Sequence, residues 1–267
     1  MVTIKYKKTA AAVYISHIDI FRAVYRGIRR ANLDVAYSKG YNAHAELFLS
    51  PPLPLFAYSD CEYFTADTKE NADEFFKRYS AAAHNLLPPV SRFYTAKNPN
   101  LAGKIFSADY SLEIPGATAA HIKKLLEKDE IVFTNRNGKE KNIRPYIYRA
   151  EIIPYAPGIE NDGSQSVNAE NNAIKNAGLK NENQNENSQK PNGKNDENAG
   201  LKNAFGGTII RINIDSTNLR AETAAAEIES LSGQKCRKIT KTAQYVKIDG
   251  KIIEADEYLT ELSKLNF

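Results

Sequence analysis

Between Pro157 and Ala204 the chain turns almost entirely to Asn, Glu, Lys, Gln and Gly, and few branched apolar residues and no aromatic ones remain. The stretch also repeats itself, Asn176-Ala177-Gly178-Leu179-Lys180-Asn181 returning as Asn198-Ala199-Gly200-Leu201-Lys202-Asn203. Such a segment cannot bury enough apolar area to offset the entropy of ordering it. Residues 157–204 are therefore expected to be a disordered insertion, and any fold must be assembled from the two flanking blocks. Together these hold roughly 220 residues, enough for two units of about 100 residues each. Their composition, 42% hydrophobic and 25% charged over the whole chain, suits a globular protein.

The flanking blocks alternate in period. The first predicts strands at Val2–Lys7, Ala45–Leu49, Cys61–Ala66 and Ser91–Thr95, with helices at Ser16–Ala31 and Asn71–Leu87. This β-α-β-β-α-β order is that of the split βαβ unit. The second block repeats it, with strands at Ser107–Ile114, Ile131–Asn135, Lys141–Ile153, Gly207–Ile214 and Lys235–Ile248 and helices at Ala117–Lys128 and Leu219–Leu231. Lys141–Ile153 reads as one strand or as two pieces, and Ile252–Leu265 as an additional terminal helix. The expected fold is α+β: tandem ferredoxin-like domains at 1–104 and at 105–156 plus 205–267.

The densest chemistry lies between Ser16 and Pro54. Ser16 is a good N-cap, and Asp19, three residues on, suits the positive helix end. At about 100° per residue, Arg22, Arg26, Arg29 and Arg30 fall in one sector while Ile20, Phe21, Val24, Tyr25 and Ile28 take the opposite side. Guanidinium groups along one face suit phosphate oxygens through forked hydrogen bonds; the plainer alternative is a solvated face. The loop Tyr37-Ser38-Lys39-Gly40-Tyr41-Asn42-Ala43-His44 follows. Aromatic, amide and cationic groups of this kind stack on and bond to unpaired bases, or else merely plug a turn. Lys39, Tyr41, Asn42 and His44 join the four arginines as candidate RNA- or phosphate-binding residues. His17, in the first helical turn, is the one candidate catalytic residue, since imidazole moves protons near neutral pH; the plainer alternative is a hydrogen-bonded structural histidine.

The same residues carry a family resemblance. Ser16-His17-Ile18-Asp19, Arg22-Ala23, Arg26, Ile28-Arg29-Arg30-Ala31, Ala36 through His44, Ser50-Pro51-Pro52-Leu53-Pro54-Leu55 and Glu62-Tyr63 resemble the radical-SAM-linked proteins of unknown function. Ile143-Arg144-Pro145-Tyr146-Ile147 and Asn218-Leu219-Arg220-Ala221-Glu222 resemble that family's second half more loosely. In place of the prolines the family usually sets around the loop histidine, Ala43 and Ala45 flank His44. The resemblance implies a radical S-adenosylmethionine enzyme as partner.

Several chemistries are excluded. Two cysteines, Cys61 and Cys236, cannot supply the three-cysteine cluster ligation of a radical enzyme, nor a disulfide framework. Phosphate-loop, dinucleotide and zinc-protease motifs are missing from the sequence, and the four histidines lack ligand spacing, so no cofactor and no metal are expected. A net charge of +4 permits a polyanionic partner without demanding one. The first residues lack an apolar signal core, and no run approaches 18 apolar residues, so a cytoplasmic protein with no membrane contact is expected. Three function classes remain: a non-catalytic accessory module presenting RNA to the radical enzyme, a metal-independent endoribonuclease using His17, and a protein-interaction scaffold without RNA.

Overall fold

In the computed structural model, residues 1–134, 137–153 and 208–265 are described, and the insertion expected at 157–204 lies outside them. Strand β1 (Val2–Lys8) runs antiparallel between β3 (Ala57–Ala66) and β4 (Pro89–Tyr94), and the short β2 (Leu47–Leu49) pairs with the distal end of β3. In the second half, β5 (Ile105–Glu113) lies between β9 (Ile209–Asp215) and β10 (Lys238–Ile248), with β8 (Ile147–Ile153) outside β9. A separate hairpin, β6 (Val132–Thr134) with β7 (Glu140–Asn142), precedes β8. The halves join where Ala57–Ser59 of β3 pairs in parallel with Ile239–Lys241 of β10. With β11 (Lys251–Glu254) on β10, the result is one mixed nine-stranded sheet in the order β4-β1-β3-β10-β5-β9-β8. Met1–Pro154 and Gly207–Phe267 form one compact unit.

Six helices of the described residues position the rest: α1 (His17–Arg30), α2 (Ala72–Ala82), α3 (Leu101–Lys104), α4 (Ala119–Glu127), α5 (Ala221–Ser232) and α6 (Ala255–Lys264). The period-two face Val2, Ile4 and Tyr6 of β1, with Phe64 and Ala66 of β3, packs against Ile20, Val24 and Ile28 of α1 and Phe75 and Tyr79 of α2. Each fully buried apolar side chain of that size contributes roughly 1.5–3 kcal/mol. Gly27 lets α1 come close to α2, because a Cβ there would meet a Tyr79 ring carbon at 3.0 Å. In the second half, Ala108, Tyr110 and Leu112 of β5 and Ile210, Ile212 and Ile214 of β9 pack against Ile122 and Leu125 of α4 and Ala224, Ala225 and Ile228 of α5. A third cluster sits on the other face of β3, where Cys61 and Tyr63 meet Leu101, Ile105, Val246 and the α6 residues Ala255, Tyr258 and Leu259.

Boundaries shift for local reasons. The helix expected to reach Leu87 ends at Ala82, ahead of the Pro88-Pro89 pair, which biases the preceding residue to extended backbone. Lys141–Ile153 breaks into β7 and β8 around a 3-10 turn, Arg144–Tyr146, at Pro145, which has no N–H to give a ladder. The first residues of the expected terminal helix instead form β11, turned back on β10 by Asp249 and Gly250, both at positive φ. That is the backbone a two-residue hairpin turn needs. No helix among the described residues is long and apolar enough to cross a membrane.

Candidate functional site

The Ser16 cap forms as expected: its hydroxyl accepts the Asp19 amide N–H at 3.3 Å and donates to the Asp19 carboxylate at 2.6 Å. With α1 seated on the sheet by its apolar stripe, Arg22, Arg26, Arg29 and Arg30 all reach solvent. They are not equivalent. Arg22 is paired with Asp19 at 3.0 Å, and the Asp19 carboxyl is held below its usual range by the Ser16 hydrogen bond and by Arg22. Arg30 is turned away to clasp the last carbonyl of α2, donating to Ala82 from Nε at 3.2 Å and from a terminal nitrogen at 2.7 Å. Arg29 lies 6.0 Å from the Tyr25 ring centroid. Arg26 and Arg29 form no ion pair among the described residues, although the Asp19 carboxylate also feels the Arg26 charge.

The loop folds as a small closed bend. Tyr37 and Ala45 form a bridge, the Ser38 amide donates to the His44 carbonyl at 2.9 Å, and the Ser38 hydroxyl accepts the His44 amide at 3.1 Å. Gly40, at φ +148°, supplies a backbone that other residues adopt at a cost. Lys39, Tyr41, Asn42 and His44 are exposed, Tyr41 completely, while Nδ1 of His44 is engaged within the loop by the Asn42 carbonyl at 3.1 Å. A hydrogen bond between Tyr37 and Tyr25 raises the Tyr37 hydroxyl pKa, and the nearby Arg29 charge opposes it. Through Tyr25 and Arg29, the loop and the middle of α1 form one surface, from which Arg30 stands apart.

His17 leads elsewhere, to the seam between the halves. There the Glu62 carboxylate accepts Lys241 Nζ at 2.8 Å, the Ser59 hydroxyl at 2.7 Å and the Ser50 hydroxyl at 3.2 Å, with both charged side chains at most 5% exposed. Burial alone would lower the Lys241 pKa, but the facing Glu62 charge drives it above the ordinary lysine value. Lys8, also buried, donates to the Pro54 carbonyl at 3.3 Å, and burial lowers its pKa. Burial likewise lowers the pKa of half-buried His17, with Glu62 opposing and Lys241 and Lys8 assisting. Glu222, at the start of α5, is shifted upward by burial, and its Oε2 has no hydrogen-bond partner among the described residues. Burial thus biases the imidazole toward its neutral form and the carboxyl toward its protonated one.

Sequence reasoning found His17 and missed Lys8, Glu62, Lys241 and Glu222. The first two carried a signal: Lys8 continues the inward face Val2-Ile4-Tyr6, and Glu62 interrupts the wholly buried run Cys61–Ala66. A charge at an inward strand position asks for a partner. Among the described residues no group of three His, Cys, Asp or Glu side chains could hold a metal ion.

A family model described as an uncharacterized protein conserved in bacteria (DUF2344) matches residues 2–185. No curated protein matches the chain. Among solved structures, a chain of a Cbf5–Nop10–Gar1 complex is 7% identical, with a TM-score of 0.43 over 91% of this chain and 48% of that one. The chain thus spans about half the length of that structural relative.

Proposed function

The chain belongs to this conserved bacterial DUF2344 family, and within it we propose a non-catalytic recognition module that presents RNA to a radical S-adenosylmethionine enzyme. The observation that carries the RNA part is the unneutralised cationic surface at Arg26 and Arg29, continuous with the Tyr37–His44 loop. Guanidinium groups outside any ion pair present forked donors to phosphate, and the exposed Tyr41 ring of the adjoining loop offers an unpaired base a stacking surface. Arg22 and Arg30 contribute less, one being paired and the other tied to α2. The radical enzyme as partner rests on the sequence resemblance of residues 16–63. Each half's strand order, with the first strand between the third and the fourth, supports reading the fold as tandem ferredoxin-like units.

The test is fluorescence anisotropy of labelled RNA at several salt concentrations. Replacing Arg26 and Arg29 together with Glu should weaken binding at least tenfold and flatten the salt slope by about 1.4, at about 0.7 per lost contact on a single strand. Tyr41→Ala should weaken binding without altering the melting temperature. Parent affinity in both variants would remove the RNA reading. Co-purification from the native cell that recovers no radical enzyme would remove the partner.

One observation favours a second reading, a metal-independent endoribonuclease: burial first, and then the Lys241 and Lys8 charges, bias half-buried His17 toward its neutral form, as a general base with adjoining cations would be. Cleavage of labelled RNA that disappears in His17→Ala would establish it.

A further inference from the structure

The strands of the second half have a face opposite α4 and α5, and it differs in kind from the buried one. It holds an open cleft of about 520 Å³ lined by Phe106, Tyr148, Arg149, Asn213, Tyr245 and Lys247. Two irregularities in the ladders build it. On β8, Ile147 pairs with Ile214 and Arg149 with Asn213, so Tyr148 is an extra residue. On β5, Ser107 pairs with Tyr245 and Ile105 with Val246, so Phe106 is extra with respect to β10. Bulges re-aim side chains. Here both deliver an aromatic ring to the same place, the centroids 5.7 Å apart and the planes inclined by 35°. Tyr148 donates its hydroxyl to Asp215 at 3.3 Å, yet 47% of the residue stays exposed, so much of its ring is open to a ligand.

The polar groups around the rings are arranged rather than scattered. Asp109, buried beneath them, accepts the Asn213 amide at 2.6 Å, the Tyr245 hydroxyl at 2.9 Å and Arg149 at 3.3 Å. Its charge is thereby compensated. The Asn213 amide donates inward, so its carbonyl oxygen is the group left to accept an N–H of a base, such as the ring N3–H of uracil. Arg149 remains 53% exposed, with donors beyond the one given to Asp109. The Lys247 ammonium stands 5.9 Å from the Phe106 ring centroid, within reach of a phosphate attached to any base lying on that ring. Two stackable rings, an outward carbonyl and two cations suit one kind of ligand, a nucleobase with its phosphates.

We propose that this cleft takes an unpaired base of single-stranded RNA, with Tyr148 and Phe106 stacking on the base and Arg149 and Lys247 meeting its flanking phosphates. The inference shares its class of ligand with the proposed function but stands on a separate surface, so the two can fail separately.

Labelled decauridylate is titrated against the parent and against protein already carrying Arg26→Glu and Arg29→Glu, which removes the α1 surface from the readout. In both backgrounds Tyr148→Ala should weaken binding about tenfold, within the range for one lost base–aromatic stack, whereas Tyr148→Phe keeps the ring and the affinity. Lys247→Glu should weaken binding without disturbing the ring pair, and an abasic strand of equal length should bind the parent no better than decauridylate binds Tyr148→Ala. Unchanged thermal midpoints confirm that the variants are folded. Equal affinity of Tyr148→Ala and parent, or of abasic and base-bearing strands, overturns the inference and leaves the α1 reading intact. Loss of binding on the α1 substitutions with Tyr148→Ala silent does the same. Uridine monophosphate that binds in a Tyr148-dependent way while decauridylate fails to compete overturns the RNA source in favour of a free nucleotide.

Discussion

The two halves of the sheet share one order of elements and differ in what covers them. In the first half, β3 is buried on both sides: Phe64 and Ala66 face α1 and α2, while Cys61 and Tyr63 face α6 and Leu101 of α3. Asp256 of α6 fixes that cover by accepting the Tyr63 hydroxyl at 2.8 Å and pairing with Lys5. Burial pushes the Cys61 thiol up to about 12, so it is an inert packing residue. In the second half, β9 alternates, with Ile210, Ile212 and Ile214 inward and Arg211 and Asn213 outward, and the outward face carries the aromatic cleft. The comparison teaches that a shared topology does not settle which face becomes a surface. Continuous apolar runs mark strands that will be covered twice, and strict alternation marks strands with one face left for other work.

The join between the halves gives the sharpest way to break the comparison. Lys241→Ala leaves Glu62 buried without its cation, and urea unfolding should show a loss of about 3–5 kcal/mol. Replacing both residues with apolar ones of similar volume should restore most of that loss; if it does not, the pair does more than balance charge. Next in size is Leu259→Ala, which opens a cavity under α6, the helix that covers the outer face of β3 together with Val246 of β10 and Ile105 of β5, and should cost about 2–5 kcal/mol. Tyr148→Ala, an equally drastic truncation on the uncovered half, should stay within about 0.5 kcal/mol of the parent. Equal losses at the two sites would mean that the second half is covered after all.

The smallest effect is in pH. Folding lowers the His17 pKa, so the unfolded chain binds the proton first and stability falls as pH drops from about 6.5, the ordinary histidine value, toward the lower folded one. Folding raises the Glu222 pKa, so its contribution runs the other way, gained as pH falls through the raised value and lost as pH rises through it. Unfolding free energies measured across this range should lose their acid-side decline in His17→Gln and their opposing gain in Glu222→Gln. A profile unchanged by both substitutions would place neither group in the seam's electrostatics.

Much of this was legible beforehand because it is local. The Ser16 cap, the arginine sector and most of the element order in the two blocks follow from spacing along a helix or from turn chemistry, whereas whether Tyr41 plugs the turn or reaches solvent did not. The inequality of the four arginines was not. Arg30 reaches Ala82, 52 residues away, and only the packing of α1 on α2 puts that carbonyl in range. His17 was legible as a residue but not as a neighbour of Lys241, more than 200 residues distant. The cleft was least legible of all, because an extra residue in a ladder is defined by the partner strand and leaves no mark in its own.

By itself, then, the sequence determined most of the segments that form helices and strands, which of their faces are apolar and where a cationic helix face adjoins an aromatic loop, because periodicity and capping act over a few residues. Tertiary structure alone decided that β3 and β10 pair and fuse both blocks into one sheet. It also decided that α6 covers the outer face of β3 and the adjoining part of β10 while the aromatic cleft stays open, and that Lys8, Glu62, Lys241 and His17 meet in the seam. These contacts join residues far apart in the chain, and their energy exists only once the loops between them have closed.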